Sequence, residues 1–292
     1  MPPLLRRFLL RVFRIIAAIY VVICIIVYFA QGWLLFPGAS SQGTADATIQ
    51  PLPGCKLLQL TASSGERITA LYGPALLPDG TDDPDAQSRP TFVYFYGNGA
   101  AVAWSLHEFG LFRGLGVNVL MPDYAGYGMS GGKPSEKSLY ATADAAYDYL
   151  VNQGGVKPDK IIAVGWSLGA GVAIDLASRR PVAAVAIFNP FTSIPDMAAK
   201  VFPWLPVRLL VSYRFDNLKK IGGIHYPMFI CNGLQDQLVP PEMSERLAAA
   251  AGGPVTRVKI PGADHNTIFV ADPGRVGKGL KGFLATVQTA NR

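Results

Sequence analysis

The stretch KIIAVGWSLGAGVAID, residues 160–175, changes its pattern in the middle. Ile161 to Val164 form a short apolar, β-rich run after the turn Lys157-Pro158-Asp159, which reads as a buried strand. From Leu168 the apolar residues Ala170, Val172, Ala173, Leu176 and Ala177 follow a helical pattern as far as Arg179-Arg180-Pro181. The switch falls on Gly165-Trp166-Ser167-Leu168-Gly169, a G-x-S-x-G. A strand that turns directly into a helix strains the backbone of the serine between them. Large side chains two residues to either side would clash there, and Gly165 and Gly169 remove that clash. The hydroxyl is then lifted above the sheet edge with the helix N-terminus pointing at it. A glycine turn that only packs a helix on a sheet has the same spelling, so the rest of the chain must decide.

The rest of the chain keeps the same rhythm. Strand candidates are Lys56–Thr61, Arg67–Tyr72, Thr91–Tyr96, Val117–Met121, Lys160–Val164, Val182–Phe188, Met228–Asn232 and Val255–Ile260. Helical patterns cover Ser135–Asn152, Ser167–Ser178, Pro241–Ala251 and Pro273–Val287. Strands alternating with helices predict an α/β fold, a mostly parallel eight-stranded sheet with helices on both faces. The first two strands, joined by a short connection, suit antiparallel pairing at one edge. The loop Pro74 to Pro90 carries four aspartates and four prolines but lacks the register of a calcium loop, and reads as a solvated hairpin loop.

A serine hydroxyl needs a base, and the base needs an orienting carboxylate. Sites in open α/β sheets gather at the carboxyl ends of strands. Asp236 follows the strand Met228–Asn232, and His265 follows Val255–Ile260. His107 sits in a helical stretch and His225 precedes a strand, so neither has that placement. Asp264 is the alternative acid, but a sequence neighbour points away from the ring it would have to orient. Two backbone N–H groups are needed for an oxyanion hole. Leu168, after the serine, supplies one, and Asn98 in the loop Tyr96-Gly97-Asn98-Gly99 is the expected second.

The chain has 292 residues, enough for one large α/β domain. Its net charge is +6, but Arg6, Arg7, Arg11 and Arg14 carry four of those charges and residues 1–36 contain no acid, which leaves +2 for the remainder. No basic stripe remains to track a phosphate backbone, so nucleic-acid binding is not expected. Ile15 to Phe36 is apolar except at Gln31 and Gly32, and as a helix it spans roughly 33 Å, about one hydrocarbon core. The arginines precede it, so the positive-inside rule puts the N-terminus in the cytoplasm and the remainder on the periplasmic, extracytoplasmic or lumenal side. The stretch is longer than the apolar core of a cleaved signal peptide, which favours an uncleaved single-pass signal anchor. The expected division is residues 1–36 as N-terminus and anchor, 37–53 as linker and 54–292 as the catalytic domain. Because the motifs all lie beyond residue 90, deletion of residues 1–36 is expected to release a soluble and still active domain. Cys24, Cys55 and Cys231 suggest neither a disulfide nor a metal site, and with three histidines a zinc cluster is improbable.

With these motifs the chain resembles the α/β-hydrolase superfamily over roughly residues 50 to 290. More narrowly it is similar to a small membrane-anchored branch with a Gly-Asn oxyanion loop, the G-x-S-x-G elbow and a block like Asp123-Tyr-Ala-Gly-Tyr-Gly-Met-Ser-Gly-Gly-Lys-Pro134. That branch holds depalmitoylating thioesterases and lipid hydrolases, and its domains are often described as serine aminopeptidase-like. The resemblance implies a membrane-bound hydrolase of ester, thioester or amide bonds, working through Ser167, Asp236 and His265 with no metal or organic cofactor, on a small-molecule acyl or lipid-like substrate. A peptidase of the same fold and a catalytically silent membrane scaffold are the alternatives. One departure is Tyr96, which stands where the branch usually has histidine and puts the oxyanion-loop geometry in question. The 39 residues between Phe188 and Met228 are rich in aromatic and aliphatic residues. They read either as ordinary packing or as a short lid forming an apolar groove, with Trp204 on its surface.

Overall fold

A computed structural model describes residues 2–290. The elements run α1 (Pro3–Leu35), β1 (Lys56–Thr61), β2 (Arg67–Gly73), β3 (Thr91–Phe95), α2 (Leu106–Arg113), β4 (Asn118–Pro122), α3 (Glu136–Asn152), β5 (Ile161–Trp166) and α4 (Leu168–Arg179). They continue with β6 (Ala184–Phe188), α5 (Ile194–Val201), α6 (Val207–Leu210), α7 (Asn217–Ile221), β7 (Met228–Gly233), α8 (Pro241–Ala250), β8 (Val255–Ile260) and α9 (Pro273–Ala290).

The eight strands form one sheet in the order β1-β2-β4-β3-β5-β6-β7-β8. From β4 to β8 every pairing is parallel; β1 with β2 and β2 with β4 are antiparallel. The antiparallel edge therefore takes in one more pairing than the connection between the first two strands predicts. β3, β4 and β6 are buried at every position, as strands covered on both faces must be, whereas the edge strands β1 and β8 are largely open. Phe92 and Tyr94, two residues apart and so on one face of β3, both meet Phe112 of α2 edge-on. Phe188 and Phe269 extend that aromatic cluster, and Phe229 carries it to Phe283 of α9. Helices α3, α4, α7 and α8 contact one another in succession.

Local chemistry explains the boundaries near the site. Helix α3 starts where Ser135 and Ser138 each accept the other's backbone N–H, at 3.0 and 2.8 Å. The stretch expected as a linker is packed down. It holds two 3₁₀ helices, Pro37–Ser41 and Ala45–Ala47, with Gly38, Ser41 and Ala47 buried. The Gly38 N–H donates to the Asn98 carbonyl at 3.0 Å, and the Gly128 N–H donates to Ser41 Oγ at 2.9 Å. In the acidic loop, Asp83 is buried and paired with Arg89, and Asp82 with Arg113, so that loop is pinned rather than merely solvated. Helix α1 is 33 residues long with no buried residue, and it is long and apolar enough to cross a membrane.

Candidate active site

Ser167 occupies the single residue between β5 and α4, with φ 54° and ψ −118°. A residue with a side chain is strained there, by about 1–3 kcal/mol, and the surroundings must hold it. They do so by leaving no space. A methyl group on Gly165 would collide with the Gly169 carbonyl, and one on Gly169 with the carbonyls of Phe95 and Tyr96. The Ser167 N–H donates to the Phe188 carbonyl at 2.9 Å, which ties the turn to the end of β6.

The loops after β7 and β8 bring Asp236 and His265 to this serine. His265 Nε2 is 2.8 Å from Ser167 Oγ, and Nδ1 is 2.7 Å from Asp236 Oδ2. An ionised carboxylate only accepts, so the ring proton belongs on Nδ1, which leaves Nε2 to accept from the serine hydroxyl. The second carboxylate oxygen, Oδ1, accepts the N–H groups of Leu238 and Val239 at 3.0 and 2.7 Å. Asp236 and His265 are both buried. Asp264 is exposed, and its Oδ1 takes the N–H groups of Asn266 and Thr267 together with the Thr267 hydroxyl. Those bonds, the hydroxyl foremost, hold its carboxyl below the usual range and spend it on the turn that presents His265. His225 is exposed beside the Gly252 carbonyl, and His107 lies on α2, so neither joins the cluster.

Asn98 and Leu168 line the same cavity as Ser167. Among the described residues neither backbone N–H has a protein acceptor, and Leu168 opens α4, where the helix dipole adds positive potential. Gly97 brings the loop close: a methyl group there would stand 3.6 Å from Ser167 Cβ. Tyr96 braces this loop from below. Its hydroxyl donates to Asp123 Oδ1 at 2.8 Å, and its carbonyl accepts the Tyr124 hydroxyl at 2.8 Å. Asp123 also accepts from Val102 and Met129 N–H groups. Burial pushes its carboxyl up to about 6, with those hydrogen bonds pulling the other way.

Two contributors escape sequence reasoning. Asn189, with φ 43°, follows β6. Its amide donates to the His265 carbonyl at 3.0 Å and accepts the Gly233 N–H at 2.9 Å, so one side chain fastens the His265 and Asp236 loops together. Its only signal is an asparagine just past a strand end, where positive φ is tolerated. Trp166 packs its ring against His265 at 5.7 Å, and its indole N–H reaches the His265 carbonyl at 3.3 Å.

The cavity beside Ser167, of about 210 Å³, is lined almost wholly by apolar side chains. The segment after β6 supplies one wall, including Phe191, Ile194, Met197 and Tyr213. Phe215 and Leu205 are buried, so this segment both packs and covers. Trp204 is 56% exposed and is not among the lining residues, so the groove that the lid reading expected is lined by this segment without Trp204. A second part of the lining comes from α1, through Val27, Leu34 and Leu35. The first 36 residues are thus more than a tether, a contact between distant stretches that no local pattern announces.

An alpha/beta hydrolase family model matches residues 94–222. The chain is 36% identical over 251 residues to an uncharacterized protein of Mycobacterium tuberculosis, covering 83% of this chain and 82% of that one. It is 34% identical over 202 residues to the alpha/beta hydrolase domain-containing protein 17B of Xenopus laevis, covering 68% of this chain and 67% of that one. Among solved structures, the esterase Pf2001 of Pyrococcus furiosus superposes with a TM-score of 0.62 at 21% identity, over 80% of this chain and 90% of the esterase. A doubly wound sheet with a strained serine at the end of its fifth strand, and relatives matched over two thirds or more of their length, lead to one conclusion: the chain belongs to the alpha/beta hydrolase family.

Proposed function

We propose that the chain is a single-pass, membrane-anchored serine hydrolase that cleaves ester or thioester bonds of acyl or lipid-like substrates through an acyl-enzyme. The observation that carries this reading is the hydrogen-bonded line Ser167–His265–Asp236, at 2.8 and 2.7 Å, on the edge of an apolar cavity. His265 takes the proton of Ser167 as the hydroxyl attacks the substrate carbonyl. Asp236 keeps the ring in the required tautomer and stabilises its cation. The N–H groups of Asn98 and Leu168 receive the oxyanion, the leaving group departs with the proton from His265, and water then attacks the acyl-enzyme with His265 as base. The lining residues include no acidic side chain to receive the α-ammonium of a peptide, which favours an acyl substrate over an aminopeptidase's.

The proposed division is an N-terminal anchor over residues 1–36, a connecting segment over 37–53 and a catalytic domain over 54–292. The four arginines before Ile15 put the N-terminus in the cytoplasm and the catalytic domain on the far side. Ser167→Ala is the test. Fluorophosphonate labelling should vanish, and hydrolysis of p-nitrophenyl esters should fall by about four orders of magnitude or more. Undiminished labelling at another serine would sink the assignment.

A further inference from the structure

Helix α1 presents one face to the cavity. Val27, Gln31, Leu34 and Leu35 line it, spaced four, three and one residues apart, together with Ser167 and Leu168. The opposite side of the same turns is more open, with Ile26 59% and Trp33 79% exposed against 50% for Leu34. The helix is fixed against the segment that forms the other wall. The Tyr20 hydroxyl donates to the Trp204 carbonyl at 2.9 Å, and Gln31 Oε1 accepts the Ser212 N–H at 2.7 Å. The Gln31 amide nitrogen reaches the Leu210 carbonyl at 3.4 Å, and Phe36 packs edge-on against Tyr213 at 5.0 Å. Gln31, the one polar residue of α1 in the lining, thus spends its amide on the α6 segment rather than on the cavity.

These contacts fix the depth of the site. From Tyr20 to Leu35 the helix rises about 22 Å. The part before Tyr20 holds four arginines and is too short to cross a hydrocarbon core alone, which takes about 20 apolar residues. Any crossing therefore uses the turns that are docked on α5 and α6. Those helices then meet the membrane beside α1 at its surface: apolar Val201, Trp204 and Leu209 are 55%, 56% and 87% exposed, and the exposed Lys200 and Arg208 on the same two helices suit the headgroup layer.

We propose that the acyl chain of a bilayer-resident ester or thioester enters sideways, between α1 and the α5–α6 segment. The membrane helix is then half of the acyl slot, and Val27 and Leu34 set which chains fit. This rests on the serine-hydrolase reading for the reaction but on the cavity alone for the slot.

The test uses the full chain in phosphatidylcholine vesicles, with p-nitrophenyl acetate and p-nitrophenyl dodecanoate as substrates. Val27→Trp and Leu34→Trp fill the slot, and Ile26→Trp adds the same bulk on the outer side. The slot variants should lower kcat/KM for dodecanoate about tenfold or more while acetate changes less than about twofold, and Ile26→Trp should change neither ratio. Equal loss on both esters, or unchanged dodecanoate hydrolysis, overturns the slot. A second measurement is independent of turnover: a diazirine-bearing palmitate is photolysed on the Ser167→Ala protein in the same vesicles and the adducts are mapped. Adducts on Val27, Gln31 or Leu34 together with the α5–α6 segment support the slot, and adducts confined to the outward Ile26, Phe29 and Trp33, or lying elsewhere, overturn it. If wild type hydrolyses neither ester, the serine-hydrolase reading falls, and the adduct map still decides the slot.

Discussion

The serine turn and the end of α1 line one cavity and are held in opposite ways. The turn is held by backbone alone: glycines at 165 and 169 with no space for a methyl group, and a serine forced to positive φ. The helix is held by side chains from afar, with Gln31, Tyr20 and Phe36 each reaching a partner more than 170 residues later in the chain. A wall made by backbone tolerates no change; a wall made by side-chain contacts is open to tuning. The geometry of the proposed nucleophile and the shape of the cavity beside it are thus written in different parts of the molecule.

That contrast can be broken most severely at Gly169. Gly169→Ala drives a methyl group into the carbonyls of Phe95 and Tyr96. Its stability in a urea titration should fall by about 4 kcal/mol or more, whereas Gly99→Ala, with open space around it, should stay within about 1 kcal/mol. Equal midpoints for the two variants would show that the turn is not the rigid wall.

Asn189 sharpens the contrast, since it holds the His265 and Asp236 loops together through side-chain bonds. Asn189→Ala leaves the buried Gly233 N–H without its acceptor and the His265 carbonyl without one donor. Stability should drop by about 1–3 kcal/mol. If the loops also shift, kcat falls with KM little changed, because positioning rather than substrate binding is lost. A rise in KM at constant kcat would remove Asn189 from this role.

The last effect is a pH dependence beneath the proposed oxyanion loop. The Asp123 carboxyl titrates near 6 in the fold against an ordinary value of 3.8. Between those pH values the native protein holds a proton that the unfolded chain has released. Its contribution to stability is therefore present at the acid end and is lost as pH rises toward 6. The unfolding free energy of wild type, measured from pH 4 to 6.5, should decline relative to Asp123→Asn by about 1–3 kcal/mol. Parallel pH profiles would mean that the bonds from Tyr96, Val102 and Met129 outweigh burial.

What the sequence discloses follows the same division. The meeting of Ser167, Asp236 and His265 is legible because each follows a strand's carboxyl end, where the topology gathers the loops. The sheet was legible because its buried strands are unbroken apolar runs. Helices α5 to α7 were not, since each has eight residues or fewer and little room to show a period. Nor was the packing of residues 37–47, whose serines and glycines resemble a linker but fill space against Asn98 and Gly128. The α1 wall is the extreme case: an all-apolar helix reads as a membrane anchor, and nothing in its composition tells which side meets a cavity.

Ser167 at φ 54° also bears on how this protein would evolve in the laboratory. Glycine is at home at that angle, so Ser167→Gly should raise the melting temperature while abolishing the hydroxyl on which the proposed chemistry depends. A library selected only for survival on heating would collect this change early and become a sturdier, inert protein. Activity must therefore be selected alongside heat resistance, because at this one position the two criteria choose different amino acids.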